Sequence, residues 1–410
     1  MERRTTLAVA LVFFVLAAGV VLGVVSVSGG GGTLTEQWVS DTARDTLGNH
    51  HAPTAGRTGN RTLVVAPVNA PRTVGNCALV TFTTNTTEVW RATMPEEACN
   101  IHAFGDPTVA DLDRDGDREV AVATTEELVH VYDLQTGDAV FSRELPGWGY
   151  AAPVVTDFTP APGRELLVAD LSGGVVAFAD DGTRLWSRNL SGTVAPIFVE
   201  DFDASGDAEL AVGEGKNVTF LESDGSTAYQ TAVGGSVTWT TEGQADDDPA
   251  LEVVAATTNG RVVAVDGRSG DVQWVERYNT MAAVYAFGDG DRDGQAEVYA
   301  VAQDGKLRAL DASDGTEKWT TTLTTEDVQM MPPPALGDLD GDGVPELVAV
   351  TQDGVVSVVD PKSGAVVDSY ERDVPIWMRP TLADLDGDGS KEILVVYGDA
   401  RVVALSYSEK

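Results

Sequence analysis

The sequence predicts an all-β protein, a β-propeller of eight four-stranded blades, and three observations support this prediction. An aspartate-rich nonapeptide occurs five times in nearly the same form. Each copy is followed by short runs of Val, Ile, Leu and Ala separated by Gly-containing turns, which is the pattern of β-hairpins. With two degenerate copies included, the nonapeptides begin 43 to 49 residues apart, which is the period of a propeller blade.

The nonapeptide has the composition of a calcium loop. Carboxylates stand at positions 1, 3, 5 and 9, except that Ser205 takes position 5 of the second copy, and glycine always stands at position 6. Short acidic side chains at alternate positions of a tight turn converge, and glycine permits the reversal of the backbone. Position 7 varies, as expected where the backbone carbonyl is the ligand. Oxygen donors without a nearby His or Cys favour Ca²⁺.

The sequence therefore predicts about five calcium sites, and the regular interval argues against acidic surface turns without an ion. Segments 157–165 and 244–252 stand at the same interval but have lost ligands. The predicted calcium-site residues, position 7 included, are Asp111, Asp113, Asp115, Asp117, Glu119; Asp201, Asp203, Ser205, Asp207, Glu209; Asp289, Asp291, Asp293, Gln295, Glu297; Asp338, Asp340, Asp342, Val344, Glu346; and Asp384, Asp386, Asp388, Ser390, Glu392.

One period contains four predicted strands, a to d, at residues 153–158, 166–170, 174–178 and 183–190, with the nonapeptide position between a and b. The d strand often has an aromatic residue after a Gly turn. We interpret these aromatic residues as packing between blades; they are Phe141, Trp186, Tyr229, Trp274 and Trp319.

The number of blades depends on the two ends of the repeat region. The last period has no d strand, while residues 35–41 resemble one. Residues 52–54, 61–68, 77–83 and 88–94 fit strands a to d of a first blade without calcium ligands. Eight blades closed by an N-terminal strand leave no open sheet edge. A seven-bladed ring with an N-terminal extension is the alternative.

Two repeat families resemble these segments. Residues 107–113 and 334–343 resemble the FG-GAP or VCBS-type repeats of integrin α-subunit propellers, and residues 310–319 are similar to quinoprotein-like (PQQ-type) repeats. The resemblance covers roughly residues 35–410. It implies calcium in loops at one rim and ligand contacts on the opposite face, formed by the d–a and b–c loops. It does not specify a function, because propellers bind, adhere, scaffold or catalyse.

The composition excludes a general nucleic-acid-binding protein. With 27 Lys+Arg against 64 Asp+Glu, the formal charge is −37, whereas phosphate neutralisation requires clustered basic side chains. This acidity is typical of halophilic proteins, which stay soluble at high salt through their net charge.

Residues 1–32 are predicted to be a membrane anchor with a Gly linker, and residues 33–410 the propeller. Arg3 and Arg4 precede an uncharged apolar run at 5–28, which is long enough to span a bilayer with the N-terminus in the cytoplasm. A cleaved signal peptide is the alternative. Either way, we expect the propeller on the extracellular side of the cell membrane.

Covalent features fit that compartment. Cys77 and Cys99 are the only cysteines and are predicted to form a disulfide, with two buried free thiols as the alternative. Four Asn-x-Ser/Thr sequons are candidate glycosylation sites, at Asn60, Asn85, Asn189 and Asn217.

No catalytic motif stands out, so the sequence favours a protein that is not an enzyme. The histidines, His50, His51, His102 and His130, lack a metal-ligand spacing. Large side chains precede several a strands and are expected at one mouth of the central channel, either to bind a ligand or to plug the channel. These candidate ligand-binding residues are Trp148, Tyr150, Trp239, Met330, Met331, Trp377 and Met378.

These observations together predict a membrane-anchored, calcium-stabilised extracellular propeller that acts as an adhesion module or envelope scaffold, with a protein or glycan ligand. One alternative is a quinone-dependent or hydrolytic enzyme with its site in the channel mouth. Another is an assembly factor for envelope proteins, which the quinoprotein-like resemblance implies.

Overall fold

The computed structural model describes residues 31–192 and 194–409, which form thirty-two strands in eight four-stranded antiparallel sheets. The predicted all-β propeller is confirmed. The predicted membrane anchor at 5–28 lies outside the described residues. In the described ranges, no helix has the length and apolar character needed to cross a bilayer.

The strands follow the chain blade by blade, and each sheet has the order a, b, c, d from the channel outward. The N-terminal strand is β1 (Gly32–Val39). Blade 1 is β2 (Thr54–Thr58), β3 (Arg61–Val68), β4 (Ala78–Thr83) and β5 (Glu88–Thr93). Blade 2 is β6 (Thr108–Ala110), β7 (Glu119–Ala123), β8 (Leu128–Asp133) and β9 (Ala139–Glu144). Blade 3 is β10 (Val154–Thr156), β11 (Glu165–Ala169), β12 (Gly174–Phe178) and β13 (Arg184–Asn189). Blade 4 is β14 (Val194–Glu200), β15 (Glu209–Glu214), β16 (Asn217–Leu221) and β17 (Thr227–Ala232).

The second half of the ring repeats the same plan. Blade 5 is β18 (Val237–Gly243), β19 (Glu252–Thr257), β20 (Arg261–Asp266) and β21 (Val272–Arg277). Blade 6 is β22 (Ala282–Gly288), β23 (Glu297–Ala302), β24 (Lys306–Asp311) and β25 (Glu317–Thr322). Blade 7 is β26 (Ala335–Gly337), β27 (Glu346–Val350), β28 (Val355–Val359) and β29 (Val366–Glu371). Blade 8 is β30 (Thr381–Ala383), β31 (Glu392–Val396) and β32 (Val402–Glu409), with β1 as its outer strand.

The ring closes through β1. It pairs antiparallel with β32 from Gly32 opposite Glu409 to Val39 opposite Val403, so the first and last parts of the described chain share one sheet. The eight-bladed prediction is therefore confirmed and the seven-bladed alternative is wrong. In the first blade, strand a starts at Thr54 and turns through Gly59 and Asn60 directly into β3, without a calcium loop.

The hydrophobic core lies between neighbouring sheets. Middle strands b and c are buried on both faces, which explains why they consist of nearly continuous Val, Leu and Ala. One cluster joins Val348 and Val358 of blade 7 to Ile393 and Val395 of blade 8, and similar clusters recur around the ring. Burial of apolar surface between blades thus holds each sheet to the next.

Aromatic residues of the d strands fasten each blade to the following one. The indole N–H of Trp274 donates to the carbonyl of Ala312 (2.7 Å), and Trp319 bonds Pro361 in the same way. Gly315, at φ +77°, lies under the Trp274 ring, where an added Cβ would stand 2.7 Å from a ring carbon. The interpretation as packing residues is therefore confirmed. Trp90, which the sequence pattern missed, makes the corresponding contact from blade 1.

The predicted disulfide is confirmed. Cys77 and Cys99 are bonded, with their Cα atoms 5.4 Å apart, and both are buried in the cluster between blades 1 and 2. The bond ties the start of β4 to the loop that leads into blade 2.

Candidate functional site

The two ends of the propeller carry different chemistry because of the strand order. Strand a of every blade runs toward the a–b loops, so those loops lie at one rim, while the d–a and b–c loops lie at the opposite face. We call the first end the loop rim and the second the channel mouth. The predicted calcium loops are at the loop rim, and the large side chains that precede the a strands are at the channel mouth.

Backbone hydrogen bonds organise each loop of the rim. In the loop at 338–346, Asp338 accepts the N–H of Gly343 (2.9 Å), Asp340 accepts that of Asp342 (3.2 Å), and Glu346 accepts that of Leu339 (2.8 Å). The other intact loops repeat this scheme with small variations. The aspartate at position 1 accepts N–H groups through both oxygens in the loops that begin at Asp201, Asp338 and Asp384. The aspartate at position 3 and the closing glutamate accept through one oxygen, which leaves their other oxygen available to an ion.

The converging oxygens form five compact groups. In each intact loop, three carboxylates place one oxygen each within 4.8 Å of the others. The groups are Asp111, Asp113 and Asp115; Asp201, Asp203 and Glu209; Asp289, Asp291 and Glu297; Asp338, Asp340 and Glu346; and Asp384, Asp386 and Glu392. The side chains at position 7 point outward or are half-buried, as Asp117, Asp207, Gln295, Val344 and Ser390 show. Such oxygen clusters suit a hard divalent cation.

Left-handed backbone appears at two positions of every intact loop. The glycine at position 6 has φ between +79° and +98° in all five. Position 4 is also left-handed, and there Arg114, Ala204 and Arg292 adopt φ near +60° although they have a Cβ. The sequence indicated the first position through its glycine and missed the second, because three different residue types occupy it.

The closing glutamate of each loop is a buried group with a raised pKa. Burial, followed by repulsion from neighbouring aspartates, raises the pKa of Glu119, Glu209 and Glu346 to about 7. The degenerate loops keep the same glutamate, since Glu165 and Glu252 accept the N–H groups of Phe158 and Ala245. The glutamate therefore closes the loop by itself, and this explains why it persists where the aspartates are lost.

One loop already contains a cation. The ammonium of Lys318 lies 3.0 Å from Asp291, 2.8 Å from Asp293 and 2.7 Å from Glu297, and Asp291 and Glu297 are two of the three converging carboxylates of this loop. Lys318 occupies the β-bulge of β25, next to Trp319. The bulge residues of the other intact loops in blades 2, 4 and 7 are apolar, namely Val140, Ala228 and Val367.

The degenerate loop of blade 5 is closed in a related way. Its bulge residue is Gln273, whose amide nitrogen lies 3.1 Å from Asp246 and 3.2 Å from Glu252. A neutral donor suffices here because Gln244 replaces the aspartate at position 1 of this loop. The d strand thus determines what faces the a–b loop of its own blade.

The channel mouth opens into a cavity of about 1250 Å³. Six of the seven residues predicted for this end line it: Tyr150, Trp239, Met330, Met331, Trp377 and Met378. Trp148 does not belong to the lining and is 47 % exposed on the outside of its loop. Met331 and Met378 are nearly fully buried, and Met331 also packs in the cluster between blades 6 and 7.

A histidine cluster stands in the wall of this cavity. His50 Nε2 lies 3.1 Å from His102 Nε2, and His102 Nδ1 lies 3.3 Å from His51 Nε2. His51 Nδ1 bonds the Asp106 carboxylate at 2.9 Å, while His50 Nδ1 bonds the Gly48 carbonyl. Burial, followed by repulsion from the neighbouring rings, lowers the pKa of His50 to about 4 and that of His102 to about 3. No sequence motif indicates the cluster, because His51 and His102 are 51 positions apart.

The sequons lie at different depths. Asn60, Asn85 and Asn189 are exposed, while Asn217 is half-buried and its amide nitrogen donates to Glu214 (3.2 Å). Glycosylation stays a prediction for all four, and the last is the least accessible.

The closed ring of eight blades, with aromatic residues fastening blade to blade, defines this chain as a β-propeller of quinoprotein-like repeats. The family model described as outer membrane protein assembly factor BamB matches residues 75–289 and 292–409. The chain therefore belongs to the BamB-like family. The resemblance of the rim loops to FG-GAP or VCBS repeats stays a prediction.

Solved structures of the same fold are distant in sequence. BamB from Moraxella catarrhalis is 14 % identical, with a TM-score of 0.62 over 91 % of this chain and 98 % of that one. The V. cholerae biofilm matrix protein Bap1 is 12 % identical, with a TM-score of 0.67 over 92 % and 91 %. Saccharomyces cerevisiae Sqt1 is 12 % identical, with a TM-score of 0.63 over 89 % and 98 %. No curated protein matches the sequence significantly.

Proposed function

We propose that this propeller is a scaffold or assembly factor that binds other envelope proteins through its channel mouth. Membership of the BamB-like family supports a role in the envelope. The observation that carries the proposal is the channel mouth, where six large side chains at the starts of four blades line one cavity of about 1250 Å³. The protein acts by binding rather than by catalysis.

The lining indicates what the mouth would bind. Its aromatic and Met side chains offer apolar contact, with Arg379 and Asp106 as charged groups at separate places in the wall. Arg379 stacks over Tyr285, 4.1 Å from the ring centroid. An extended peptide with apolar side chains and a few charges fits such a lining, because aromatic and Met anchors dominate protein recognition sites.

Calcium at the loop rim would be structural. We propose that it occupies the loops at 111–119, 201–209, 338–346 and 384–392, while Lys318 takes its place at 289–297. The Asp111 carboxylate supports this assignment, since its buried Oδ1 has no hydrogen-bond partner among the described residues. An ion that binds only the folded state stabilises it, by roughly 1–3 kcal/mol per site when calcium is ten- to a hundredfold above its Kd.

The location follows from the same proposal. An apolar segment at 5–28 would hold the propeller at the outer side of the cell membrane, close to envelope proteins, and the disulfide fits an oxidising compartment.

Affinity capture from envelope membranes tests the function. The full chain in calcium should retain a defined set of membrane proteins, and the double change Trp377→Ala with Met330→Ala should release them. A matched control is Val140→Ala, since Val140 is 52 % exposed on the outer strand of blade 2. The proposal would be contradicted if the Val140→Ala control lost the membrane proteins while the mouth variant retained them. Retention of polysaccharide without any protein would contradict it as well.

A further inference from the structure

We propose that His50 and His102 form a binding site for one transition-metal ion, of the Zn²⁺, Co²⁺, Ni²⁺ or Cu²⁺ class, in the wall of the channel mouth. His51 and Asp106 orient His102 and do not contact the ion. This site is separate from the calcium loops, which lie at the opposite end of the propeller, and it does not depend on the proposed function.

The contacts of the cluster outnumber the hydrogens that neutral histidines supply. Four contacts link the Asp106 carboxylate, His51, His102, His50 and the Gly48 carbonyl. Each contact needs one hydrogen, and neither a carbonyl nor an ionised carboxylate supplies any. Three neutral imidazoles carry one N–H each, so four contacts share three hydrogens. In one contact two nitrogen lone pairs therefore face each other, unless a cation binds between them.

The acceptors at the two ends of the cluster, the Gly48 carbonyl and the Asp106 carboxylate, determine which contact lacks a hydrogen. His50 Nδ1–H must donate to Gly48, and in a neutral ring this leaves Nε2 bare. His51 Nδ1–H donates to Asp106, so His51 Nε2 accepts the Nδ1–H of His102, whose own Nε2 is then bare. The two bare nitrogens are the pair at 3.1 Å.

That separation suits two ligands of one ion. Metal–nitrogen bonds of about 2.0–2.1 Å at angles between 90° and 109° place adjacent nitrogens roughly 2.9–3.4 Å apart. A proton is the competing cation, but only a metal ion has further coordination positions, and these would face the cavity that both histidines line. Metal-binding histidines usually donate their second N–H to a carbonyl or carboxylate, as both do here, directly or through His51.

The position of the pair gives the ion a role beyond the fold. His50, His102 and Asp106 line the cavity, and His51 is fully buried behind them. Two protein nitrogens leave coordination positions open toward the cavity, where water or a donor atom of a bound partner completes the shell. Imidazole donors select these metals, whereas the carboxylate loops select calcium.

Cobalt binding tests the proposal on the full chain in saturating calcium, so that the rim loops are already occupied. Calorimetry with Co²⁺ should show one site, and visible absorption should show nitrogen coordination. His50→Ala and His102→Ala should each weaken binding at least tenfold. His130→Ala is the control, because His130 bonds Ser142 on the outer part of blade 2. Asp106→Asn should weaken binding roughly 10- to 100-fold without removing the absorption.

A measurement on the unaltered protein covers the case in which a variant fails to fold. Zn²⁺ should protect His50 and His102, and not His130, from modification by diethyl pyrocarbonate, as mapped by mass spectrometry. Equal modification of all three histidines with and without Zn²⁺ would overturn the proposal. Cobalt binding that His50→Ala and His102→Ala leave unchanged would overturn it as well, and the cation that completes the cluster would then be a proton.

Discussion

Lys318→Val removes the ammonium that contacts Asp291, Asp293 and Glu297. Without calcium, the variant leaves these carboxylates facing one another with no positive partner, and the Glu297 side chain is only 1 % exposed. In the presence of calcium, the same change frees the carboxylates of loop 289–297, which otherwise has the acidic residues and the backbone conformation of the other intact loops. We therefore expect the variant to be less stable than the wild type in EGTA and to bind one more calcium ion.

The size of the destabilisation follows from the burial. Breaking a fully buried ion pair costs about 3–5 kcal/mol. The Lys318 side chain is 24 % exposed and Asp293 faces solvent, so water offsets part of this, and we expect about 1–3 kcal/mol. At about 2.1 cal/mol/K per residue over roughly 380 residues, this lowers the Tm by about 1–4 °C for two-state unfolding.

The assay combines a calcium count with a melting curve, at constant high salt. Elemental analysis after equilibrium dialysis should give one more calcium for Lys318→Val than for the wild type. The reciprocal change Val367→Lys, at the bulge of blade 7, should give one fewer and should raise the Tm in EGTA. Identical calcium counts in all three proteins would refute the conclusion that Lys318 substitutes for the ion.

Three further predictions concern pH, blade packing and the disulfide. Because Glu119, Glu209 and Glu346 have a pKa of about 7 in the folded, calcium-free protein against 4.5 ordinarily, that protein binds more protons than the unfolded chain between these values. Its Tm in EGTA should fall as the pH rises from 5 to 7.5, and the Tm gain from calcium should be large at pH 8 and nearly absent at pH 5; a gain independent of pH would contradict this. Gly315→Ala should destabilise the protein more than Gly59→Ala in urea unfolding, because both have positive φ but only the former places its Cβ against Trp274, and equal losses would argue against the packing role. Reduction of the Cys77–Cys99 bond, which closes 22 residues, should lower the unfolding free energy by roughly 3 kcal/mol, as a Cys77→Ala, Cys99→Ala variant should reproduce.

The repeated parts of the fold were predictable because their signals are local. A nonapeptide with its flanking strands lies within some twenty residues, so its period alone gave the blades. The spacing between Gly315 and Trp319 predicts the outer strand of a blade. Residues 35–41, around Trp38, have a similar pattern and are thereby recognised as the strand that closes the ring. Closure of the ring was predictable without any long-range contact, because residues 35–41 have the pattern of the d strand that the last blade lacks.

The sites that depend on several blades were less predictable. Lys318 is more than 20 residues from the carboxylates it contacts, and a β-bulge, which has no clear sequence signal, turns it toward them. The histidine cluster combines a loop before blade 1 with one before blade 2. The sequence pattern places Trp148 with Tyr150, but the single residue between them, Gly149, separates an exposed outer surface from the cavity wall.

Site-specific photocrosslinking tests most directly whether the channel mouth is the surface that binds partners. A photoreactive side chain would replace Trp377 at the mouth, Val344 at the loop rim or Val140 on the outer strand, in the full chain within envelope membranes with calcium. We predict discrete crosslinked envelope proteins from the mouth position and none above background from the other two. Crosslinks of equal yield from all three positions, or from the loop rim alone, would contradict the proposed function.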